Sequence, residues 1–451
     1  MVTGYDILFF WVARMVMLSR CLTGVLPFEE IYLHGLICDS HGMKMSKSVG
    51  NVIHPEYILK GCSLNDLKND IKNNLDEKLI TSKNYQTAIK KQENNFPNGI
   101  PQCGADALRF SLCVNDIQES AVNFDFNICY GNRVFCNKIW QSMNYFIKFV
   151  NDCNVTTEND LDDFVCGQNH TIFDKWIMSK LAGVVKIVDE SLNENRFSIA
   201  TREIKDFFLN DFCAVYLEST KLTVRKNSNE CKNIIYVMRD CLETGFKLLS
   251  PFMPFVTEHL YQAMPKLKGF DKFESITMTK FPSPKNWSCR HDGKLEKQMK
   301  SILHLLSTIR KLLDLYQLTK SNPNVFIKSS NDFDELLFGD ANRIFAKLGR
   351  VNCLKKVESH DGRDVIEEEI HDGCVAYVEH KYDRETLLKR FETSVLSKEN
   401  KLIENLKRLR GEGMDNKTKT KRIQHKNSLE SMRGELKKIE QIKKVVDNCS
   451  N

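Results

Sequence analysis

The chain has 451 residues, of which 42% are hydrophobic and 10% are aromatic. It is therefore long and apolar enough for two to four folded domains, and global disorder is excluded. No apolar run approaches the roughly 18–20 residues that a membrane-spanning helix needs, so we expect no membrane partner. The 16 cysteines include no C-x-x-C pair, and their scatter favours free thiols in a reducing compartment such as the cytosol.

The small net positive charge is concentrated at the carboxyl end. The whole chain has 65 Lys and Arg against 59 Asp and Glu, and residues 381–451 alone hold 19 against 11. A block of this kind is usually the solvated face of a helix, and the alternative is a surface for a polyanionic partner.

Residues 1–60 have the pattern of an α/β fold. The segment "MVTGYD" is typical of a strand that runs into a turn, and "ILFFWVARMVML" has apolar residues on every side, which predicts a buried helix with Trp11 in the core. "EEIYLHGLICD" alternates as a strand does. The polar loop "HGMKMSKSVGN" (41–51) follows, and "HPEYILKG" begins a helix at Pro55.

Residues 61–130 connect this part to the next. The stretch 61–95 is polar and weakly periodic, which predicts an insertion of modest helicity, and "FPNGIPQCG" (96–104) is a turn-rich connector. In the helix that begins at "ADALRFSL", Asp106 and Arg109 are spaced to form an ion pair.

The remaining chain falls into three parts. Five consecutive amphipathic segments between 131 and 265 predict an α-helical bundle. Residues 290–380 mix helical and alternating runs, which indicates a small α/β unit. Two helical patterns joined by a polar loop (411–421) predict an antiparallel coiled-coil hairpin. Their apolar positions are Leu388, Val395, Leu402 and Leu409 in the first helix, and Leu429, Met432, Leu436, Ile439 and Val446 in the second.

The 41–51 loop places two ammonium groups, Lys44 and Lys47, near the end of a predicted strand. Ligands of α/β sheets bind at the carboxyl ends of the strands. When the α-phosphate of ATP is attacked, negative charge builds on the departing pyrophosphate, and mobile cations stabilise that charge. The chain contains no G-x-x-x-x-G-K-[ST] loop, which excludes a Walker-type ATPase.

These segments together resemble the valyl-tRNA synthetases of eukaryotic type, which are class I aminoacyl-tRNA synthetases. "KMSKS" at 44–48, followed by "VGNVIHP", is similar to the second signature motif of that class. "VTGYDILFFWVARMVM", "YLHGLICD", "FPNGIPQCGADALRFSL" and "GNRVFCNKIW" resemble the family around it, and "LLSPFMPFVTEHLYQAMP" resembles its anticodon-binding domain. The basic hairpin is similar to the coiled-coil arm of the valyl enzymes.

The resemblance implies roles for four residues of the loop. Lys47 would contact the phosphates of ATP, and Lys44 would assist while the adenylate forms. Met45 would pack near the adenine, and Ser46 would donate a hydrogen bond to a phosphate.

It also implies a nucleoside site outside the loop. Gly4 and Asp6 are candidates for the ribose, while His34 and Gly35 would lie beside the adenine. For Asp6 the alternative is a helix N-cap, and for His34 it is a hydrogen-bonded structural residue.

The resemblance further implies a multidomain architecture. The expected parts are a partial Rossmann-like catalytic half with the KMSKS loop (1–60), an insertion and stem-contact connector (61–130), an anticodon-binding helical domain (131–289), a small α/β domain (290–380) and a coiled-coil tRNA-binding arm (381–451). The family's H-x-G-H signature and its editing domain are absent from the sequence, so we expect the carboxy-terminal portion of a synthetase that is inactive alone.

The expected substrates are L-valine, ATP with Mg²⁺, and tRNA(Val), with no protein-held metal. Other synthetases or an elongation factor are further candidate partners, and the expected location is the cytoplasm, with the mitochondrion as the alternative. Phe207, Phe208 and Tyr216 could stack on unpaired bases or form core. A non-catalytic tRNA-binding or regulatory protein is the alternative function.

Overall fold

The computed structural model describes residues 1–39, 42–116, 121–153, 170–222, 229–265, 273–358, 365–370, 373–382 and 384–411. The chain divides into two compact units, Met1–His291 and Asp292–Asn451. Within the described ranges, no helix is both long enough and apolar enough to cross a membrane.

The first unit opens with short parallel strands and the helices between them. Strand β1 pairs in parallel with β2, and β3 pairs in parallel with β4. Two short helical turns, Tyr5–Ile7 and Leu8–Val12, connect β1 to the first helix. In chain order the elements are β1 (Val2–Gly4), α1 (Ala13–Thr23), β2 (Tyr32–His34), β3 (Leu36–Cys38), α2 (Pro55–Lys60), α3 (Leu64–Asp76), α4 (Ser82–Asn95), α5 (Ala105–Val114) and β4 (Ala121–Asn123).

The predicted burial of "ILFFWVARMVML" is wrong for these residues. The segment is helical, but Val12 alone is buried, and Trp11 is 61% exposed instead of lying in a core. A helix that is apolar all round needs neighbours all round, and the described part of the chain packs only against the side that carries Val12.

The insertion 61–95 is more helical than expected. It forms the two helices α3 and α4, which pack on each other around Ile71, Ile80 and Ala88. The side chain of Ser63 caps α3 in a reciprocal capping box with Asp66, so local signals in the polar sequence do define this helix.

The helical bundle follows the predicted order of amphipathic segments. Its third segment is α-helical at both ends and π-helical in the middle, at Phe207–Tyr216. Phe207, Phe208 and Tyr216 are buried there, so they are core residues and not base-stacking surfaces. The helices are α6 (Phe126–Asp152), α7 (Ile172–Asn193), α8 (Phe197–Asp206), α9 (Leu217–Thr220), α10 (Asn229–Leu249) and α11 (Pro254–Ala263).

The second unit combines helices with a four-stranded mixed sheet of order β6-β5-β8-β7. Strands β5 and β6 are parallel, and β5, β8 and β7 are antiparallel in turn. The elements are α12 (Gly293–Leu315), β5 (Asn324–Lys328), α13 (Asp334–Phe338), α14 (Asn342–Gly349), β6 (Cys353–Lys356), β7 (Val365–Ile370), β8 (Cys374–Glu379) and α15 (Arg384–Gly411).

Helix α15 is the first helix of the predicted hairpin. Val395 is buried, and Lys398 Nζ lies 3.0 Å from Asp314 Oδ2 of α12, so the beginning of α15 packs against the end of α12. The polar loop from 412 onwards and the second helix of the hairpin lie outside the described residues.

Candidate functional site

The carboxyl ends of β1 and β2 bring three of the predicted site residues together. Gly4 is the register partner of His34 in the parallel pair, and Asp6 follows in the turn after β1. A Cβ on Gly4 would lie 2.7 Å from Asp6 Oδ1 and 3.7 Å from His34 Cε1. The missing side chain at position 4 therefore leaves the room that the Asp6 carboxylate occupies.

Lys44 reaches this group from the loop. Its Nζ lies 3.5 Å from Asp6 Oδ2, and its backbone forms an isolated antiparallel bridge with Cys38 at the end of β3. Because the Lys44 side chain is 65% exposed, this ion pair stabilises the fold little and leaves the ammonium free to change partner. Lys44 is therefore an exposed and weakly paired cation beside Asp6 and Gly4, and its phosphate contact stays a prediction.

Lys47 lies three residues further on, in an exposed turn. The backbone N–H of Gly50 donates to Lys47 O (3.1 Å) and to Ser46 O (3.0 Å), which closes the turn. Within the described residues, no ion pair joins Lys47 to Asp6, so the phosphate contact of Lys47 stays a prediction.

The loop is held at its base by a buried amide and a buried carboxylate that the sequence analysis missed. Asn51 accepts a hydrogen bond from Ser46 N–H (2.9 Å), and its Nδ2 donates to Asp39 Oδ2 (3.0 Å) and to Lys44 O (3.3 Å). The Asp39 carboxylate also accepts from Met43 N–H (2.9 Å). Asn and Asp at the two ends of a short polar loop are the sequence signal that could have revealed this pair.

Met45 and Ser46 have local partners in this structure. Met45 is half-buried against the apolar cluster of Ile58, Cys103 and Phe124, and so it anchors the loop to α2 and its neighbours. The Ser46 hydroxyl lies 2.7 Å from the Ser48 hydroxyl. The adenine contact of Met45 and the phosphate contact of Ser46 stay predictions.

His34 and Gly35 line a cavity of about 760 Å³ together with Tyr32, Leu112 and Val122. The His34 Nδ1 lies 3.0 Å from Gly35 O. Neither lysine of the loop lines this cavity, so the structure does not bring the lysines and both predicted adenine residues into one pocket.

Cys38 lies at the end of β3, where its backbone forms a bridge with Lys44 of the loop. Burial and the Asp39 carboxylate raise its pKa, against the opposing charge of Lys44. The thiol is therefore neutral at physiological pH and is no candidate nucleophile. Within the described ranges, no three His, Cys, Asp or Glu side chains are placed to hold a metal ion.

The bundle has an exposed aromatic surface that the sequence analysis also missed. The rings of Trp140 in α6 and His259 in α11 are stacked, with centroids 4.9 Å apart and planes inclined by 17°. Trp140 is 39% exposed, and Phe255, one turn before His259, is 67% exposed. Arg133 lies two turns before Trp140 on the same face of α6.

Two family profiles match the chain in this order. Residues 1–125 match the class I tRNA synthetases (I, L, M and V), and residues 174–328 match the anticodon-binding domain of tRNA ligases. The valine–tRNA ligase of Caenorhabditis elegans is 39% identical over 366 residues, which cover 79% of this chain and 34% of that protein.

The chain is a homologue of the valyl-tRNA synthetases. The human valine–tRNA ligase is 38% identical over 73% of this chain and 25% of its own length. A probable mitochondrial valine–tRNA ligase of Dictyostelium discoideum is 38% identical over 69% of this chain and 32% of its own length. This valyl-tRNA synthetase homologue therefore spans about a quarter to a third of the relatives that it matches.

Proposed function

We propose that this chain forms part of a valine–tRNA ligase and supplies the two-lysine side of its ATP site together with its anticodon-binding domain. The observation that carries the proposal is the 3.5 Å approach of Lys44 Nζ to Asp6 Oδ2, beside Gly4 and His34 at the ends of parallel strands. The valine–tRNA ligase names of the homologues support the choice of amino acid.

The first step would be the activation of valine. A carboxylate oxygen of valine attacks the α-phosphorus of ATP, the bond between the α- and β-phosphates breaks, and pyrophosphate leaves. Lys44 and Lys47 would stabilise the charge that grows on the departing oxygens, since flexible ammonium groups can follow charge as it moves. Mg²⁺ would enter with ATP as part of the substrate.

Asp6 would change partner when the nucleotide binds. Its carboxylate faces Lys44 in this structure, and in the complex it would accept hydrogen bonds from the ribose hydroxyls. Lys44 would then be released towards the phosphates. His34 and Gly35 would form the side of the site nearest to the adenine.

The second step would transfer valine to tRNA. A hydroxyl of the terminal ribose attacks the carbonyl carbon of valyl-adenylate, and AMP leaves. The helices that carry Trp140, His259 and Phe255 would contact the anticodon region, because exposed rings can stack on unpaired bases. The excess of positive charge in residues 381–451 would add salt-sensitive contacts with phosphates.

The test of the ATP site is protection of the loop from trypsin. We expect ATP with Mg²⁺ to slow cleavage after Lys44 and Lys47, as followed by mass spectrometry. Asp6→Ala should remove most of the protection, whereas Lys60→Ala, a change of an exposed lysine outside the loop, should leave it intact. Equal cleavage with and without ATP in the unsubstituted chain would overturn the ATP part of the proposal.

The test of the RNA part is filter binding of tRNA(Val) at several salt concentrations. Affinity should fall linearly on a log–log plot against salt, with a slope of roughly −0.7 to −0.9 per phosphate contacted. If the chain binds tRNA but ATP does not protect its loop from trypsin, the alternative of a non-catalytic tRNA-binding protein is favoured.

A further inference from the structure

Helices α3 and α4 pack directly against the end of the loop that carries Lys44 and Lys47 (the two-lysine loop). Gly50 is buried with φ +73°, and a Cβ there would lie 2.8 Å from Ala88 Cβ and 2.9 Å from Ile80 Cδ1. Ala88 belongs to α4, and Ile80 lies in the connection from α3. The backbone of the loop therefore rests on this helix pair at a distance that only glycine permits.

A hydrogen bond to Ser48, two residues before Gly50, accompanies the packing of Gly50 on the helix pair. Asn84 Nδ2, in the first turn of α4, donates to Ser48 O at 3.3 Å. The contacts at Ser48 and Gly50 lie on either side of Val49, in the turn that begins at Lys47. The turn that carries Lys47 is thus fixed to α4 by both a hydrogen bond and close packing.

The helix pair has a packed apolar core of its own. Ile71, Ile80 and Ala88 are all buried, with Leu75, Tyr85 and Ile89 packed around them. An ion pair of 2.7 Å between Lys68 Nζ of α3 and Glu93 Oε1 of α4 also joins the two helices.

We propose that the α3–α4 pair sets the position of the two-lysine loop and that Gly50 is the positioning residue in the contact. A side chain at position 50 pushes the turn away from Ala88 and takes Lys47 with it. Only the identity of the ligand, ATP, rests on the proposed function, because the position of the loop can be measured without any ligand.

The experiment compares Gly50→Ala with Gly42→Ala in the full chain. Both glycines lie in the loop region with positive φ, +73° and +80°, so alanine strains the backbone of both. A Cβ on Gly42 would come no closer than 3.6 Å to Asn123 Oδ1, so this control carries the strain without the clash. We expect trypsin to cut after Lys47 about tenfold faster in Gly50→Ala than in Gly42→Ala. A tenfold increase corresponds to a decrease of about 1.4 kcal/mol in the free energy needed to expose the loop to trypsin.

A second substitution tests whether the clash is the cause. Ala88→Gly removes the atom nearest to the new methyl group, and the end of the Ile80 side chain can rotate away. The double variant Gly50→Ala with Ala88→Gly should therefore be cut after Lys47 as slowly as Ala88→Gly alone, which is its reference. Gly50→Ala should also weaken protection by ATP, and adding Ala88→Gly should restore that protection.

Equal cleavage after Lys47 in Gly50→Ala and Gly42→Ala, or no rescue by Ala88→Gly, would overturn the inference. If ATP protects none of the proteins, the proposed ATP site is wrong, and the cleavage rates without ATP still decide whether the helix pair positions the loop.

Discussion

The Asp106 carboxylate in α5 accepts a hydrogen bond of 2.7 Å from the backbone N–H of Val256, in the first turn of α11. Its other oxygen accepts from Phe255 N–H at 3.2 Å. A residue 150 positions away in sequence thus caps a helix of the bundle. Arg109 instead donates to Pro251 O at 3.0 Å, and within the described residues no ion pair joins it to Asp106, so the predicted Asp106–Arg109 ion pair is wrong. Asp106 ties α5 to α11 itself, and Arg109 ties α5 to the segment just before α11.

Replacing Asp106 with Asn should loosen the start of α11 without unfolding it. Burial raises the pKa of Asp106, while the N–H groups of Val256 and Phe255 and the Arg109 charge lower it, so the carboxylate depends on these donors. An amide oxygen can replace only one of the two carboxylate acceptors. We expect amide hydrogen exchange at Phe255 and Val256 to accelerate about fivefold, in line with a loss of about 1 kcal/mol for one helix cap.

Asp106→Ala is the stronger variant of that test and should accelerate the same amides further, because it leaves both N–H groups without the carboxylate. Unchanged exchange in both variants would show that α11 keeps its first turn by other means.

The capping box of α3 makes the support of the loop sensitive to acid. The Ser63 hydroxyl and backbone N–H both donate to the Asp66 carboxylate, at 2.8 and 2.9 Å, and lower its pKa from the usual 3.8. Since the folded pKa is below the unfolded one, the contribution to stability is present above pH 3.8 and is lost as the pH falls through the folded pKa. An NMR titration should show the low pKa of Asp66.

Ser63→Ala removes the side-chain donor and should raise the Asp66 pKa towards its usual value. The backbone N–H of Ser63 remains, so the return should be partial. An Asp66 pKa that does not respond to Ser63→Ala would contradict the reciprocal cap.

Gly4→Ala should weaken ATP binding through a clash of the new side chain. The backbone at Gly4 has φ −70°, which alanine adopts without strain, so the clash is the only expected effect. The new methyl group would lie 2.7 Å from Asp6 Oδ1 and would displace the carboxylate proposed for the ribose. We expect ATP protection of the loop to need about tenfold more ATP, equivalent to about 1.4 kcal/mol.

Gly183→Ala in α7 is the matched control, because a Cβ there meets nothing within 4 Å. It should leave ATP protection unchanged and should stabilise the helix by about 0.5–1 kcal/mol, as measured by the urea concentration at which α7 loses its structure. Identical ATP dependence in the Gly4→Ala and Gly183→Ala variants would argue against a role of Asp6 in nucleotide binding.

Trp140→Ala should lower the affinity for tRNA by an amount typical of one stacked base, about 1–3 kcal/mol. The salt dependence of binding should stay the same, because no phosphate contact is lost. Trp140→Phe keeps an aromatic face and should retain most of the affinity in filter binding. A Trp140→Ala protein that binds tRNA as tightly as the unsubstituted chain would remove the Trp140–His259 pair from the RNA surface.

The sequence by itself determined most of the helical segments, although not the full extent of α3 and α4, and it also determined which loop carries the two lysines. The periodic spacing of apolar residues is local information, and it was sufficient for the five segments of the bundle and for the first helix of the predicted hairpin. The motif around Lys44 also indicated a site at the ends of parallel strands, and the structure places Lys44 beside Asp6 there.

Only the tertiary structure decided what covers each element and which distant groups meet. The pattern of "ILFFWVARMVML" shows that its side chains are apolar but not whether a neighbour lies against them, and Trp11 is exposed. The cap that Asp106 provides to Val256 and the contact of Gly50 with Ala88 join residues 150 and 38 positions apart. Such contacts depend on the path of the whole backbone, because hydrogen bonds and close packing act over a few ångströms in space, whatever the separation along the chain.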